Sequence, residues 1–127
     1  MKSGLILFAH GARDPAWAAP FEAVAARVRR AQPAAEVRLA FLELMAPSLP
    51  EAGAALVASG CTRVSVLPLF LGTGGHVRKD LPRLVDALRA AHPAVVFALH
   101  GAVGEEDGVI AAMAAAASRT LTLPDAA

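Results

Sequence analysis

The chain has no tyrosine, one tryptophan, one cysteine and no strong excess of either charge, and each shortage closes off a class of function. Five phenylalanines and a lone tryptophan provide no row of aromatic rings on which single-stranded nucleic acid would stack. Twelve Lys and Arg against eleven Asp and Glu, a formal net charge of +1, form no broad basic field for nucleic acid or an anionic membrane. Cys61 alone makes neither an intrachain disulfide nor a cysteine metal cage within one subunit, which suits a reducing cytoplasm. No window approaches the roughly twenty consecutive apolar residues of a membrane span, and the apolar run 5–9 behind Met1 and Lys2 is too short for a signal peptide. The expected protein is therefore soluble and cytoplasmic, with no nucleic-acid and no membrane partner.

A length of 127 residues fits a single domain, 1–127, large enough to bury a core. The 56% hydrophobic content is inflated by alanine, about a quarter of the chain, so closely approaching helices and strands are expected. Apolar runs at 4–9, 36–42, 63–69 and 94–99 read as strands, near-continuous rather than alternating, as in a parallel sheet covered on both faces. Helical patterns follow each of them. The first is expected over 16–31, with Asp14 as cap and Pro15 in its first turn. Ser48 and Glu51 form a capping box that opens a second, ending near Gly60. The third is expected over 80–91 and the fourth over 105–119, the latter with acids at its start and Arg119 at its end, as the helix dipole prefers. The tail 120–127 reads as loose. This α/β alternation, with right-handed crossovers and the first strand central, predicts a three-layer fold: a four-stranded parallel sheet in the order 2-1-3-4, helices on both faces.

In such a sheet all carboxyl ends share one edge, the edge where open α/β sheets bind ligands. The chain places its chemistry there. His10 follows the first strand, Glu43 the second, the glycine-rich loop 72–75 with His76 the third, and His100 the fourth. Two neutral imidazoles suit a first-row divalent metal, and a nearby carboxylate completes such a site or accepts protons. Burial would make Glu43 the better acceptor. A closed structural zinc site is excluded, because the cysteines it needs are absent. Arg13, Arg78 and Lys79 on that edge point to carboxylate or phosphate recognition. The loop lacks the Gly-Lys-Ser/Thr ending of a phosphate-binding P-loop and the Gly-x-Gly-x-x-Gly spacing of a dinucleotide site. Gly74 and Gly75 beside His76 instead let a flat ligand approach the backbone. His92, ahead of Pro93, reads as a solvated or helix-end capping residue, and Asp80 as an N-cap.

Three strand-end motifs together resemble a known family, the small CbiX-type sirohydrochlorin chelatases within the class II tetrapyrrole chelatases. They run from His10 to Pro15, from Phe41 to Ser48, and from Pro68 through His76 to Asp80 and Pro82. Ala12 stands where serine is common in the first motif. The resemblance implies a chelatase-like fold and ATP-independent insertion of a divalent metal (cobalt, iron or nickel) into sirohydrochlorin, with that ion as substrate and no tightly bound cofactor. It also implies His10 and His76 as the metal pair and Glu43 as a site carboxylate. Longer relatives hold two such domains across a cleft, so a homodimer is the expected assembly. A non-catalytic metal or tetrapyrrole carrier using the same crevice is the alternative.

Overall fold

A computed structural model of the chain describes residues 1–122, the side chain of His76 apart. Strands β1 (Lys2–Ala9), β2 (Glu36–Phe41), β3 (Cys61–Pro68) and β4 (Val96–Leu99) lie parallel in the expected order, β2-β1-β3-β4. The helices are α1 (Ala19–Ala31), α2 (Leu49–Ala58), α3 (Gly75–Ala91) and α4 (Asp107–Arg119). Among the described residues no helix is long and apolar enough to cross a membrane.

One face of the sheet holds most of the core. Ile6, Phe8, Val64, Val66 and Phe97 meet Leu49, Ala52 and Leu56 of α2 and Leu81, Val85 and Leu88 of α3. Each large side chain buried there contributes about 1.5–3 kcal/mol. The opposite face is covered by α1, where Ala25 and Val28 pack on Leu5, Leu7, Val37 and Leu39. That cover reaches Leu67 and Leu69 at the end of β3 but thins over the rest of the β3–β4 half. There Val96 is 53% exposed, Arg63 is exposed, and Ser65, Leu67 and Ala98 are only half-buried. Val64, Val66 and Phe97, which alternate with them, are buried beneath α3. Helix α4 has no buried residue of its own.

Three helices begin elsewhere than the sequence leads one to expect, each for a local reason. Pro15–Ala18 forms a 3-10 turn capped by Asp14, whose Oδ1 accepts from the Ala16 N–H at 2.9 Å. The α-helix starts only at Ala19 because Pro20 has no N–H to continue the ladder. Helix α3 starts five residues before Asp80, since its buried stripe of Leu81, Val85 and Leu88 extends back to half-buried Val77. Asp80 is thus an exposed residue inside the helix, not its cap. Helix α4 starts at Asp107 because Glu106 is extended and Val103–Glu105 is a separate 3-10 turn. The capping box of Ser48 and Glu51 forms as expected, and His92 caps α3 through its N–H on the Leu88 carbonyl. Residues 120–122, read as loose, continue from α4 in hydrogen-bonded turns. The other five residues of the tail lie outside the described residues.

Candidate active site

The carboxyl edge is assembled by backbone contacts between neighbouring strand ends. The Leu42 N–H donates to the Ala9 carbonyl at 2.8 Å and the Leu69 N–H to the Phe8 carbonyl at 2.7 Å, so the loops after β2 and β3 flank the end of β1. Gly11 makes the first junction possible. A Cβ there would run into the Glu43 carbonyl, so no other residue lets the two loops approach this closely.

His10 sits at the centre of this edge. Its ring lies against Phe70, centroids 4.3 Å apart and planes 27° from parallel, and Phe70 is itself buried and tilted against Phe8. The His10 carbonyl accepts a 2.7 Å hydrogen bond from Trp17 Nε1. Backbone and ring are each held at one point, yet the residue remains exposed. It can therefore present a nitrogen to an incoming ion without a costly rearrangement.

Glu43 lies one loop away and is exposed, so the burial that would have favoured it as an acceptor is absent. The next residue, Leu44, adopts φ 64° and is 60% exposed. A leucine in the left-handed region carries strain, and here that strain turns an apolar side chain outward.

Across His10, the loop after β3 mirrors this arrangement. The Gly104 N–H donates to the Phe70 carbonyl at 2.9 Å, and a Cβ on Gly104 would strike the Leu71 backbone. Leu71 is left 70% exposed. The loop then enters α3, whose N-cap is Gly74 with no side-chain hydrogen bond. A Cβ on Gly72, Gly74 or Gly75 would meet nothing within 4 Å. The fold itself does not require glycine at these positions, and the space above them is open.

His76 is the second residue of α3, on the same edge as His10; its predicted part in metal binding falls on the side chain, which lies outside the described residues. Arg78 and Lys79 are exposed in the opening turns of α3, which carry no acid in the first turn. Cations at a helix N-terminus oppose the dipole, so their placement favours an anionic ligand rather than the helix. Arg78 also lines a cavity of about 220 Å³ with Thr73, Leu81, His100 and Glu105. His100 is exposed and anchored by its N–H on the Val66 carbonyl at 2.9 Å. Arg13 is exposed in the loop that follows His10. Among the described residues no three His, Cys, Asp or Glu side chains gather closely enough to cage a metal.

Sequence reasoning missed three residues at this edge. Trp17, Leu44 and Leu71, 43%, 60% and 70% exposed, leave apolar surface in the loops on the same edge as His10, of a kind suited to a flat hydrophobic ring. Single apolar residues in loops have no periodicity to reveal them. Only the rarity of tryptophan could have drawn attention to Trp17.

Comparison with known proteins gives a consistent result. The family model described as CbiX matches residues 4–120. The sirohydrochlorin cobaltochelatase of Methanosarcina barkeri (strain Fusaro / DSM 804) is 31% identical over 85 residues, 67% of this chain and 65% of that protein. The chain thus matches just under two thirds of the length of that curated relative. The crystal structure of the CbiX protein from Marinobacter aquaeolei VT8 superposes with a TM-score of 0.83 at 31% identity, covering 94% of this chain and 98% of that one. The sirohydrochlorin chelatase SirB from Bacillus subtilis subspecies spizizenii, solved in complex with cobalt, gives a TM-score of 0.76 at 25% identity. It covers 94% of this chain but only 51% of its own.

Proposed function

The chain belongs to the CbiX family, and from that premise we propose that it inserts a divalent metal, cobalt, iron or nickel, into sirohydrochlorin without ATP. One observation carries the reading: an accessible residue, His10, is fixed by ring stacking on Phe70 on the edge that also bears exposed apolar loop residues and the His76 loop. Relatives named as sirohydrochlorin chelatases, one of them holding cobalt, support the same substrate and metal.

Metalation replaces two pyrrole N–H protons with one divalent ion, so the site must release a metal and accept protons. His10 and His76 would hold the ion through few donors, leaving coordination positions for the ring nitrogens. The displaced protons would pass to His76 or to Glu43, whose exposure gives them a direct route to water. Trp17, Leu44 and Leu71 would contact the macrocycle's apolar surface, while Gly74 and Gly75 leave room for its approach. Arg13, Arg78 and Lys79 would pair with its peripheral carboxylates and set its orientation.

An anaerobic absorbance assay with sirohydrochlorin and each of cobalt, iron and nickel tests this. Multiple turnovers are expected from the native chain and none above background from His10→Ala or His76→Ala. Full activity in both variants would overturn the assignment. Stoichiometric binding without turnover would instead make the protein a carrier of metal or tetrapyrrole. The assembly we propose is a homodimer, which gives a chain matching half of SirB the second half of a cleft.

A further inference from the structure

The cavity of about 220 Å³ between the start of α3 and the loop after β4 is left unused by the proposed metal pair, and it is too small for a whole ligand. Pockets that enclose a ligand of ordinary size measure about 300–1,000 Å³. This one has the size of a substituent. Its walls come from two loops of the carboxyl edge, Thr73 and Arg78 from the β3 side and His100 and Glu105 from the β4 side. Those loops are tied down together, since the His100 N–H donates to the Val66 carbonyl and the Gly104 N–H to the Phe70 carbonyl, both at 2.9 Å. Phe70 is also the residue whose ring stacks on His10. The cavity therefore keeps a fixed relation to the proposed metal residue.

Its lining combines hydrocarbon with donors. Pro68 and Leu81 are buried and Leu99 is half-buried, which gives an apolar stem something to lie against. Arg78, His100 and Thr73 supply N–H and O–H donors, a set that suits an anionic acceptor, and Arg78 would repel a metal ion. Glu105 is the one acid in the lining among the described residues. The ion pairs among the described residues lie elsewhere, on Glu36 and Asp86, so neither Arg78 nor Glu105 is neutralised there by a partner of opposite charge. One fixed cation and one acid leave little net field for a bare inorganic anion, and a ligand must bring apolar surface as well as charge. A carboxylate on a short hydrocarbon stem meets both demands.

We propose that this cavity seats one carboxylate arm of the macrocycle, its carboxylate hydrogen-bonded by Arg78, His100 and Thr73 and its stem against Pro68, Leu81 and Leu99. The inference deepens the proposed function and rests on it, because that reading supplies the macrocycle. A flat ring that meets His10 and is held by one arm loses its rotation about its own normal, so its nitrogens face the ion in a single register. His100 is thus a positioning residue, acting on the arm and not on the reacting atoms. Glu105 restricts the cavity to one arm, since a second carboxylate would be repelled.

Fluorescence titration and steady-state kinetics with sirohydrochlorin test the seat. His100→Leu and Thr73→Val should each raise the Kd about fivefold, the size of an exposed contact to a charged group, and lower kcat as the ring binds in wrong registers. His100→Gln, which still donates, should recover most of both losses, and Glu105→Gln should lower the Kd. Arg27→Ala, which removes an exposed cation on α1, should change neither. In amide NMR spectra of the native chain, millimolar butyrate, an arm without its ring, should shift Thr73, His100 and Gly101, and inorganic phosphate should not. An unchanged Kd in His100→Leu, weaker binding in Glu105→Gln, or equal shifts from butyrate and phosphate would each overturn the proposal. The two readings fail separately: a native chain that metalates nothing yet loses sirohydrochlorin affinity on His100→Leu defeats the functional reading alone, whereas native turnover and Kd in His100→Leu defeat the seat alone.

Discussion

The two ends of the same sheet are built to different rules. At the amino end, charges are paired: Lys2 Nζ lies 3.0 Å from Glu36 Oε1 and also donates to the Ser59 carbonyl, and Arg38 Nη2 lies 3.2 Å from Glu36 Oε2. At the carboxyl end, Arg13, Arg78, Lys79 and Glu43 are exposed, apolar side chains face outward, and one leucine is held in a strained conformation. Groups at the first end find their partners within the chain. Those at the second are arranged for a partner the chain does not contain, as expected where strain and exposed apolar surface mark function. Activity and stability should therefore respond to different ends.

The largest test of that division is His10→Ala, which should reduce metal insertion to background while leaving the melting temperature nearly unchanged, since the ring is exposed. An equal loss of both would show that the two ends are not separable. Gly11→Ala should strike both, costing about 1–3 kcal/mol of stability by overpacking against the Glu43 carbonyl, measured by denaturant titration, and lowering turnover by displacing the β2 loop. Leu44→Gly should separate them again. Relief of about 1 kcal/mol of left-handed strain offsets the freedom glycine gives the unfolded chain, so stability holds while the KM for sirohydrochlorin rises. Arg78→Ala or Lys79→Ala should weaken macrocycle binding about fivefold each, the size of an exposed ion pair of about 1 kcal/mol, read from fluorescence titration.

The smallest effect belongs to the amino end. Glu36 has its pKa lowered from 4.5 to about 2, chiefly by the hydrogen bond from Lys2, with Ser59 and Arg38 adding to it. The folded carboxylate binds a proton less readily than the unfolded one. Its contribution is thus fully present above pH 4.5 and fades as the pH falls toward 2. Glu36→Gln should flatten the dependence of melting temperature on pH across that window and leave turnover at neutral pH untouched. A changed turnover would break the comparison from the other side.

Much of this was legible in the residues. The near-continuous apolar runs yielded four parallel strands, and chain order with crossover handedness yielded their arrangement, which places His10 and the His76 loop on one edge. The Ser48 and Glu51 capping box was legible because it is local, and of the two readings of His92, solvated or capping, the helix end bears out the cap, made by its backbone N–H. What was hidden depends on tertiary context. Asp80 and Pro82 look like the start of a helix, but burial of Val77 with Leu81 carries α3 back to Gly75. The left-handed Leu44 sits in the loop whose Glu43 carbonyl meets Gly11 from the neighbouring strand end, a contact that no local pattern announces. Nothing in the pattern of α4 distinguishes a helix packed on its own sheet from one left free.

The stacking of His10 on Phe70 has a consequence for direction. An imidazole offers its nitrogens in the plane of its ring, so contact with Phe70, by fixing how that plane lies, also fixes the directions from which a ligand can reach them. For the proposed reaction, that would set the direction of exchange before any substrate binds.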